Sequence, residues 1–272
     1  MVPDWIHRTD IGFYCTPGEF HIDPYKSSVQ KAVVSHAHAD HYSGGLHEVH
    51  GQKFTVQLAE ARYGSWAGNK IRRHEFGQTF KIGPVEVTFY PAGHMLGSSQ
   101  ILLSYAGQHV LYSGDFALGT HSACTPLAYP DVQPDLLICE STFGEKASHP
   151  DPEAEMRRVL AAARSRPIMI GTYVLGKAQR ITQLINACAP DMPILLHKDI
   201  LRFHRVYEAA GRPLLNHQIY RRQFLKKHRG QFAYLLPPRL LSSYNRDHTY
   251  YKVFASGWDR KREIPHLDDL LD

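Results

Sequence analysis

Three histidines and an aspartate fall within six positions of the run HAHADH, at His36, His38, Asp40 and His41. In an extended segment alternate side chains point the same way, so His36 and His38 face one side. Neutral imidazoles and a carboxylate that converge suit a divalent ion such as zinc, iron or manganese. Without a cation the same groups would lose hydration uncompensated, or repel one another once protonated. The spacing therefore predicts a metal site.

One short loop supplies only part of a coordination sphere, so further ligands are expected at other strand ends. His94 in PAGHMLGSSQ and Asp115 in LYSGDF each follow an apolar run. A single histidine or aspartate beside glycine is usually a turn residue. In this order, each after a predicted strand, the two become candidate ligands of the same site.

The elements that position these residues are predicted from periodicity and turn signals. The first half is rich in short strand-like runs, which are KAVVS, KFTVQL, VEVTFYPAG, SQILLSYAG, HVLYSGD and DLLICES. DPEAEMRRVLAAARS predicts a helix capped by Asp151. Two strand-then-helix units follow, in PIMIGTYVLGKAQRITQLINACA and PILLHKDILRFHRVYEAAG, so the second half is predicted to be α/β. No linker separates the halves, so a second domain would be an insertion.

Composition favours a soluble globular protein in a reducing compartment. The 272 residues are 43% hydrophobic and 21% charged, with no apolar stretch of membrane-span length. The N-terminal sequence lacks the pattern of a secretion signal. Four cysteines lie far apart with no C-x-x-C pair, which argues against a disulfide framework and against a cysteine-rich zinc module. The prediction is a cytoplasmic protein without a membrane partner.

Positive charge is concentrated in the segment 196–240. Ten cations there face only two anions, Asp199 and Glu208, and aromatic residues are interleaved, as in HQIYRRQFLKKHRGQFAY. Cations that neutralise phosphates release counterions, and aromatic faces stack bases, so the segment is a candidate nucleic-acid groove. A solvated basic helix face is the simpler interpretation.

Five blocks in order resemble a known family. HAHADH, GHMLGS and SGDF resemble the metallo-β-lactamase superfamily, and CESTFG (139–144) with LGKAQR (175–180) is similar to its β-CASP nuclease branch. That branch includes Artemis-like DNA exonucleases, ribonuclease J and the polyadenylation endonuclease. FYCTPGEFHIDP and VFASGW look most like the bacterial DNA-ligase-associated exonucleases. The resemblance runs from about Trp5 to Trp258.

The resemblance implies an α/β (α+β) fold, a metallo-β-lactamase αββα sandwich with an inserted α/β cap of β-CASP type. The expected boundaries are 1–165 for the metal-binding domain, 166–250 for the basic cap and 251–272 for a return segment, with the C-terminal part of the sandwich shortened. The basic segment would then line the substrate groove beneath the cap.

The resemblance also implies a division of the ligands between two divalent ions, zinc or manganese. One ion would take His36, His38 and His94, the second would take Asp40 and His41, and Asp115 would bridge both. A hydroxide shared by the two ions would attack the phosphorus. The catalytic residues implied are Asp40, Asp115 and Glu140, with Glu140 orienting a ligand or handling a proton. Glu140 as a turn carboxylate before Ser141 is the alternative. His21 and Asp23 are interpreted as structural, with a place at the same edge as the ligands as the alternative.

Lys177 follows Gly176 at a predicted helix start, where an anion is favoured, although an ordinary strand-to-helix turn has the same pattern. The full P-loop pattern is missing, so no nucleotide cofactor is implied. The candidate nucleic-acid-binding residues are Lys177, Arg180, Arg221, Arg222, Lys226 and Lys227.

One departure from the family concerns the second metal. The family carries a further histidine in a Ser-x-His-x-Asp-like block after the region that matches FASGW, whereas this sequence continues to REIPHLDDLLD. His266 is a shifted candidate, with Asp268 or Asp269 nearby. The second site is therefore expected to be weak, completed by water or another chain, or absent.

The function expected is hydrolysis of nucleic-acid phosphodiester bonds, as a DNA exonuclease in repair, with a DNA ligase or helicase as a partner implied by the resemblance. An RNA-processing nuclease of the 3′-end-processing type stays open. So does a non-catalytic nucleic-acid-binding relative that lacks the last histidine. A small-molecule hydrolase explains HAHADH but not CESTFG, LGKAQR or the basic segment.

Overall fold

The computed structural model describes residues 3–142, 151–227, 230–244, 247–255 and 267–271, without the side chains of 225–227. The chain divides into two compact units, Met1–Thr142 and Phe143–Asp272. Each unit has its own sheets. Among the described residues no helix is both long enough and apolar enough to cross a bilayer.

The first unit contains two sheets. The strands of one are β1 (Ile6–Thr9), β2 (Gly12–Cys15), β3 (Phe20–Ile22), β4 (Lys31–Val34), β5 (Glu48–Gln52) and β6 (Lys70–His74). They lie in chain order, antiparallel from β1 to β3 and parallel from β3 to β6. The strands of the other are β7 (Thr79–Ile82), β8 (Val85–Pro91), β9 (Ser99–Tyr105), β10 (Gln108–Tyr112) and β11 (Leu136–Ile138). Their order is β11-β10-β9-β8-β7, antiparallel except for the parallel pair β10 and β11.

Alternation along the strands builds a core between these two sheets. On β8, Val85, Val87 and Phe89 are fully buried, whereas Glu86 points to solvent. The buried side chains pack in one cluster with Val33 of the facing sheet. Each such side chain contributes roughly 1.5–3 kcal/mol when it leaves water. This core fixes the two sheets against each other and aligns the strand ends at one edge.

The run KFTVQL, predicted to be a strand, begins helix α1 (Lys53–Tyr63), so that prediction is wrong. The Gln52 side chain caps the helix by accepting a hydrogen bond from the backbone N–H of Phe54 at 2.7 Å. Ala59 packs with Val49 on the outer face of the first sheet. Periodicity in a run this short does not separate a buried strand from a buried helix. The described part of the first unit thus has a helix, a sheet and a second sheet as layers.

The second unit is a parallel α/β domain. Its strands are β12 (Ile168–Thr172), β13 (Ile194–Leu196), β14 (His217–Ile219), β15 (Ala233–Leu236), β16 (Tyr251–Ala255) and β17 (Asp269–Leu271), in the order β14-β13-β15-β12-β16-β17. Its helices are α2 (Pro152–Ala163), α3 (Lys177–Cys188), α4 (Lys198–Ala209), α5 (Arg222–Lys227) and α6 (Pro238–Leu241). One face of the sheet is covered by α2, α3 and α4, and the other packs against α6. The predicted α2 with its Asp151 cap and the two strand-then-helix units are confirmed, as is the mixed α/β class.

The unit boundary differs from the expected domain limits of 165 and 250. Helix α2 precedes residue 165 but packs on the sheet of the second unit. The stretch 251–272, expected to return to the metal-binding domain, supplies β16 and β17, and β16 pairs in parallel with β12. Val253 and Phe254 are buried on opposite faces of that sheet. A strand covered on both faces has a continuous apolar sequence, which does not reveal which sheet it joins.

Candidate metal centre

The predicted ligands lie where three strands of the first unit end. β4 leads directly into His36 and His38, and a tight turn follows in which the backbone N–H of Tyr42 donates to the His38 carbonyl at 2.8 Å. His94 lies in the turn between β8 and β9, and Asp115 follows β10. The facing sheets thus bring side chains from distant parts of the sequence to one edge.

Four of these side chains form one compact group of potential ligand atoms, all within 4.8 Å of one another. His38 Nδ1 lies 3.0 Å from His36 Nε2 and 3.3 Å from His94 Nε2. Asp115 Oδ2 lies 3.7 Å from both His36 Nε2 and His94 Nε2. Ring nitrogens at such distances need a proton or a cation between them, since their lone pairs repel.

The second carboxylate oxygen of Asp115 faces a different histidine. Asp115 Oδ1 lies 3.3 Å from His41 Nε2. Asp40 lies at the margin of this arrangement, with Oδ2 at 3.8 Å from His41 Nε2 and a side chain that is 79% exposed. Asp115 therefore lies between His41 and the group of three histidines, whereas the ion pair described for Asp40 is with His41.

Asp23 belongs to the site although its sequence context was interpreted as structural. It follows β3, is buried, and groups with His36 and His41 as potential ligand atoms. Its Oδ2 lies 2.8 Å from His41 Nδ1. A histidine that donates its Nδ1 proton to a carboxylate is left with Nε2 free to bind a cation, and that nitrogen is the one facing Asp115. The only sequence signal was an aspartate directly after a strand and before a proline. His21, its neighbour on β3, instead packs against Tyr14 with ring centroids 4.8 Å apart.

Asp23 also fixes the tautomer of His36 through Ser35. The Ser35 backbone N–H donates to Asp23 Oδ1 at 2.6 Å, and the Ser35 hydroxyl donates to Asp23 Oδ2. With its proton committed to Asp23, the hydroxyl oxygen accepts the Nδ1 proton of His36 at 3.0 Å. His36 Nε2 is then unprotonated and faces His38. One buried carboxylate thus orients two histidines.

The protonation equilibria of the site follow from burial and close charges. Burial, and then the charges of His38, His41 and His94, holds the pKa of His36 well below its usual value. Burial, together with the charges of Glu140 and Asp40, raises the pKa of Asp115 to about 6, against the opposing effect of His41. Burial lowers the pKa of His41, but the hydrogen bond to Asp23 and the charges of Asp23, Asp115 and Asp40 raise it to about 9. In the metal-free site His41 therefore holds a positive charge that a bound cation would replace, beside a carboxyl group whose ionisation burial disfavours.

Tight packing holds the His94 turn against its neighbours. Ser98 Oγ accepts hydrogen bonds from the backbone N–H groups of His94 and Met95, both at 3.1 Å. Gly97 has φ +77°, and a Cβ there would lie 2.5 Å from the backbone nitrogen of Thr55 at the start of α1. The direction of His94 therefore depends on α1 as well as on its own strands.

The donor set fits a zinc-like ion. Three imidazoles with one carboxylate, and a further imidazole on the other carboxylate oxygen, match the nitrogen and oxygen ligands that zinc and manganese take in proteins. The buried Asp23 fixes the proton positions on His36 and His41 in the form that ligands require. Such a site can activate water and neutralise a phosphate.

Glu140 follows β11 in the first unit. Its backbone N–H donates to Ser113 Oγ at 3.1 Å, and its Oε2 accepts a hydrogen bond from the backbone N–H of Thr142 at 2.7 Å. The residue is half-buried, and its charge is among those that raise the pKa of Asp115. The hydrogen bond from Thr142 is the turn contact that the alternative interpretation of Glu140 expects. That turn uses Oε2, so Oε1 is not part of it.

The remaining predicted site residues lie in or after the second unit's helices. Lys177 begins α3, and both it and Arg180 are half-buried. Arg221 and Arg222 are exposed at the start of α5. The side chains of Lys226 and Lys227, and the whole of His266, lie outside the described residues.

No family model matches the chain. Comparison with known proteins nevertheless finds relatives of similar sequence. The chain is 33% identical over 192 residues to a probable DNA ligase of Opitutus terrae, covering 67% of this chain and 18% of the relative. It is 28% identical over 197 residues to endoribonuclease YSH1 of Mycosarcoma maydis, covering 59% and 22%. It is 25% identical over 229 residues to cleavage and polyadenylation specificity factor subunit 3 of Dictyostelium discoideum, covering 72% and 30%. The chain thus spans less than a third of the length of each.

Solved structures share the fold, and one of them serves as an example. A protein of unknown function from Enterococcus faecalis V583 superposes with a TM-score of 0.58 at 13% identity, over 89% of this chain and 68% of that one. Facing sheets with a histidine- and aspartate-lined edge define a metal-binding domain of the metallo-β-lactamase superfamily. The relatives place the chain in the β-CASP branch of that superfamily.

Proposed function

We propose that the chain is a metal-dependent nuclease that hydrolyses phosphodiester bonds, with DNA as substrate and exonucleolytic repair as its role. The observation that carries the proposal is Asp115, whose two carboxylate oxygens face different histidines. A carboxylate in this position suits two cations side by side, and paired cations are a common arrangement for displacement at phosphorus. Relatives named for DNA ligation and for RNA cleavage support nucleic acid as the class of substrate.

The ligands are proposed as two sets that share Asp115. The first comprises His36, His38 and His94, and the second comprises His41 with Asp40. Zinc is the preferred ion, with manganese as the alternative. When bound, such a pair lowers the pKa of water and neutralises the charge that develops on the phosphate oxygens.

The protein's own groups would then orient ligands and carry protons. Asp23 holds His41 directly and His36 through Ser35. Glu140 keeps Oε2 on the Thr142 backbone N–H, so its Oε1 is the atom proposed to accept a proton during hydrolysis. The charge of Glu140 raises the pKa of Asp115, which supports a location of Glu140 close enough to accept that proton.

DNA is proposed before RNA because the 33% identical relative is named for DNA ligation. A ligase or helicase as partner, and a cytoplasmic location, are part of the same proposal. RNA processing is the second candidate, supported by the relatives named as an endoribonuclease and as a cleavage and polyadenylation factor. A non-catalytic nucleic-acid-binding protein remains the alternative if the second cation is not held.

The test is degradation of end-labelled DNA and RNA with manganese or zinc, by the wild type and by Asp115→Asn. We expect faster cleavage of DNA by the wild type and loss of at least about 100-fold in the variant, as is typical when a group that stabilises the transition state is removed. Asp131→Asn, which changes an exposed carboxylate of the same unit, is the matched control and should keep full activity. Faster cleavage of RNA would favour the second candidate, and equal activity of wild type and Asp115→Asn would exclude the mechanism.

Metal quantification separates the nuclease from its non-catalytic alternative. Two ions per chain are expected for the proposed site, and Asp40→Ala should lower the occupancy of the site nearer His41 first, because the ion pair described for Asp40 is with that histidine. One ion per chain in the wild type, together with intact nucleic acid, would support the binding protein.

A further inference from the structure

An exposed indole packs against the loop that follows His41, one of the proposed ligands. Trp66 is 59% exposed and belongs to a short turn after α1. Its ring lies against the backbone of Gly44 and Gly45. A Cβ at Gly44 would meet the ring carbon Cε3 at 2.5 Å, and one at Gly45 would meet Nε1 at 2.8 Å. The indole therefore covers the glycine pair while much of its surface stays exposed to solvent.

The indole is held in place by contacts on both sides of its turn. The backbone N–H of Gly45 donates to the Trp66 carbonyl at 2.6 Å, and the Tyr42 hydroxyl donates to the carbonyl of the next residue, Ala67, at 3.0 Å. The Tyr63 ring meets the indole edge-on, with centroids 6.1 Å apart. Scattered exposed aromatic residues are ordinary on protein surfaces. This one is ordered in advance, so a ligand that stacks on it meets little entropic cost.

The glycine pair under the indole lies on the short loop that follows His41. Gly44 is three residues after His41, so their Cα atoms lie within about 11 Å, the reach of an extended chain. On the same loop, Ser43 Oγ donates to the carbonyl of Pro24 at 3.1 Å and also lies 2.8 Å from that of Lys26. The Lys26 side chain is 57% exposed. An aromatic face and a cation thus lie on a rim that leads to the metal centre.

We propose that Trp66 is a stacking platform for a nucleobase of the strand whose phosphodiester reaches the metal centre, with Lys26 close to the backbone of that strand. The proposal rests on the function proposed above. Stacking on an indole accepts any base, because every base has a π face, and it is a recurrent way to hold single strands. The two glycines are needed because any side chain at either position would displace the ring.

The test is binding of the metal-loaded protein to a labelled phosphorothioate oligonucleotide, which resists cleavage. Trp66→Ala should weaken binding about 5- to 100-fold, while Trp66→Phe, which keeps a ring, should stay within about threefold of wild type. Gly44→Ala leaves the indole present but displaces it, and should weaken binding in the same direction. Tyr129→Ala removes a 68% exposed ring from a different segment of the same unit and should bind like wild type.

A series of oligonucleotides with one abasic position each locates the stacked base. The wild type should lose affinity at one position near the reacting end, and Trp66→Ala should show no loss there. Equal binding by wild type, Trp66→Ala and Gly44→Ala, with cleavage by wild type intact, would overturn the stacking platform alone. Failure of the wild type to bind or cleave any strand would overturn the proposed function and the platform with it.

Discussion

Asp23 supports two histidines of the site from one buried position. It accepts hydrogen bonds from Ser35 and from His41 Nδ1, and its backbone has φ +46°, a conformation that L residues seldom adopt. Asp23→Asn should lower affinity for the ion on the His41 side about 10- to 100-fold, as loss of a ligand-orienting carboxylate does elsewhere. Affinity for the ion held by the three histidines should change less. Calorimetric titration of the metal-free protein with zinc measures both.

The same substitution separates metal binding from stability. Asp10→Asn changes a carboxylate that is 86% exposed in the same unit, and should leave both metal affinities unchanged. An amide at position 23 can still accept from the Ser35 backbone, so the unfolding free energy should fall by only about 1–3 kcal/mol. Unchanged zinc affinities in Asp23→Asn would contradict its orienting role.

At the level of residues, the sequence predicts the candidate metal ligands better than the residues that orient those ligands. HAHADH, His94 and Asp115 were identifiable because each follows an apolar run, and strand ends meet at a sheet edge. The sequence favours a structural role for Asp23 over a place in the site, because its partners come from β4 and from the loop after it, and that proximity arises only in the folded sheet. Asp40, which HAHADH ranks with the histidines, lies at the exposed margin, because its side chain points out of the turn after His38.

Among the elements, the turn that carries His94 depends on Gly97. Gly107, which has the same backbone conformation, provides a control for that dependence. Gly97 and Gly107 both have φ +77°, but a Cβ at Gly97 would meet Thr55 at 2.5 Å, whereas Gly107 has nothing within 4 Å. Both alanine variants carry the same left-handed strain, about 1–2 kcal/mol. Gly97→Ala should lose further stability and should bind zinc more weakly, because the clash shifts the turn that carries His94. Urea unfolding and zinc titration of the two variants measure the difference.

The outcome depends on the contrast between the two glycines. If Gly97→Ala and Gly107→Ala lose the same free energy and keep the same zinc affinity, α1 does not position the turn. Loss of zinc affinity in Gly107→Ala alone would also contradict the argument, because that hairpin carries no ligand.

Helices α3 and α4 are joined by a buried neutral histidine. His204 Nδ1 accepts from Gln179 Nε2 at 3.1 Å, and its Nε2 donates to Thr182 Oγ1 at 2.9 Å. Gln179 Oε1 in turn accepts from the backbone N–H of Gly176 at 2.7 Å, which fixes the turn before Lys177. Burial, and then the charge of His217, lowers the pKa of His204 to about 3.

A pKa below that of the unfolded chain makes stability fall in acid. The contribution of His204 is complete above pH 6.5 and is lost as the pH falls from 6.5 towards about 3, at up to about 1.4 kcal/mol per pH unit. His204→Gln keeps a donor and an acceptor without titrating, so its unfolding free energy should fall less steeply over that range. Urea unfolding followed by circular dichroism at several pH values measures the slope. His7→Gln, at an exposed ring, is the control, and equal slopes for wild type and His204→Gln would contradict the prediction.

Sequence predicted the type of most elements but not their partners. Helix α2 and the strand-then-helix units carry caps and periods that are local, and these were predictable. KFTVQL became a helix because the Gln52 cap and packing on the outer face of the sheet outweighed its β-branched residues. The assignment of 251–255 to the second unit depends on pairing with β12, more than 80 residues earlier, which no local pattern specifies.

Across the whole molecule the net charge is a modest +5, but the two units carry formal charges of opposite sign. The first unit has 13 acidic residues and 9 Lys and Arg, while the second has 13 acidic residues and 22 Lys and Arg. Formal charges of −4 and +9 follow for the two units. Because affinity for nucleic acid rises with the number of phosphates neutralised, the second unit should supply most of the salt-dependent binding.

Neutralising Arg221 and Arg222 together tests that division on exposed residues. If each binds a phosphate of a single strand, Arg221→Gln with Arg222→Gln should reduce the slope of log affinity against log salt by about 0.7 for each phosphate that is no longer neutralised. Lys81→Gln removes a 68% exposed cation from the first unit and should leave the slope unchanged. Binding of an uncleavable oligonucleotide across a series of salt concentrations gives the three slopes. The slope of log affinity against log salt follows the number of phosphates that the protein neutralises. A smaller slope in Lys81→Gln than in the double variant would therefore mean that the acidic first unit, not the basic second unit, binds the nucleic-acid backbone.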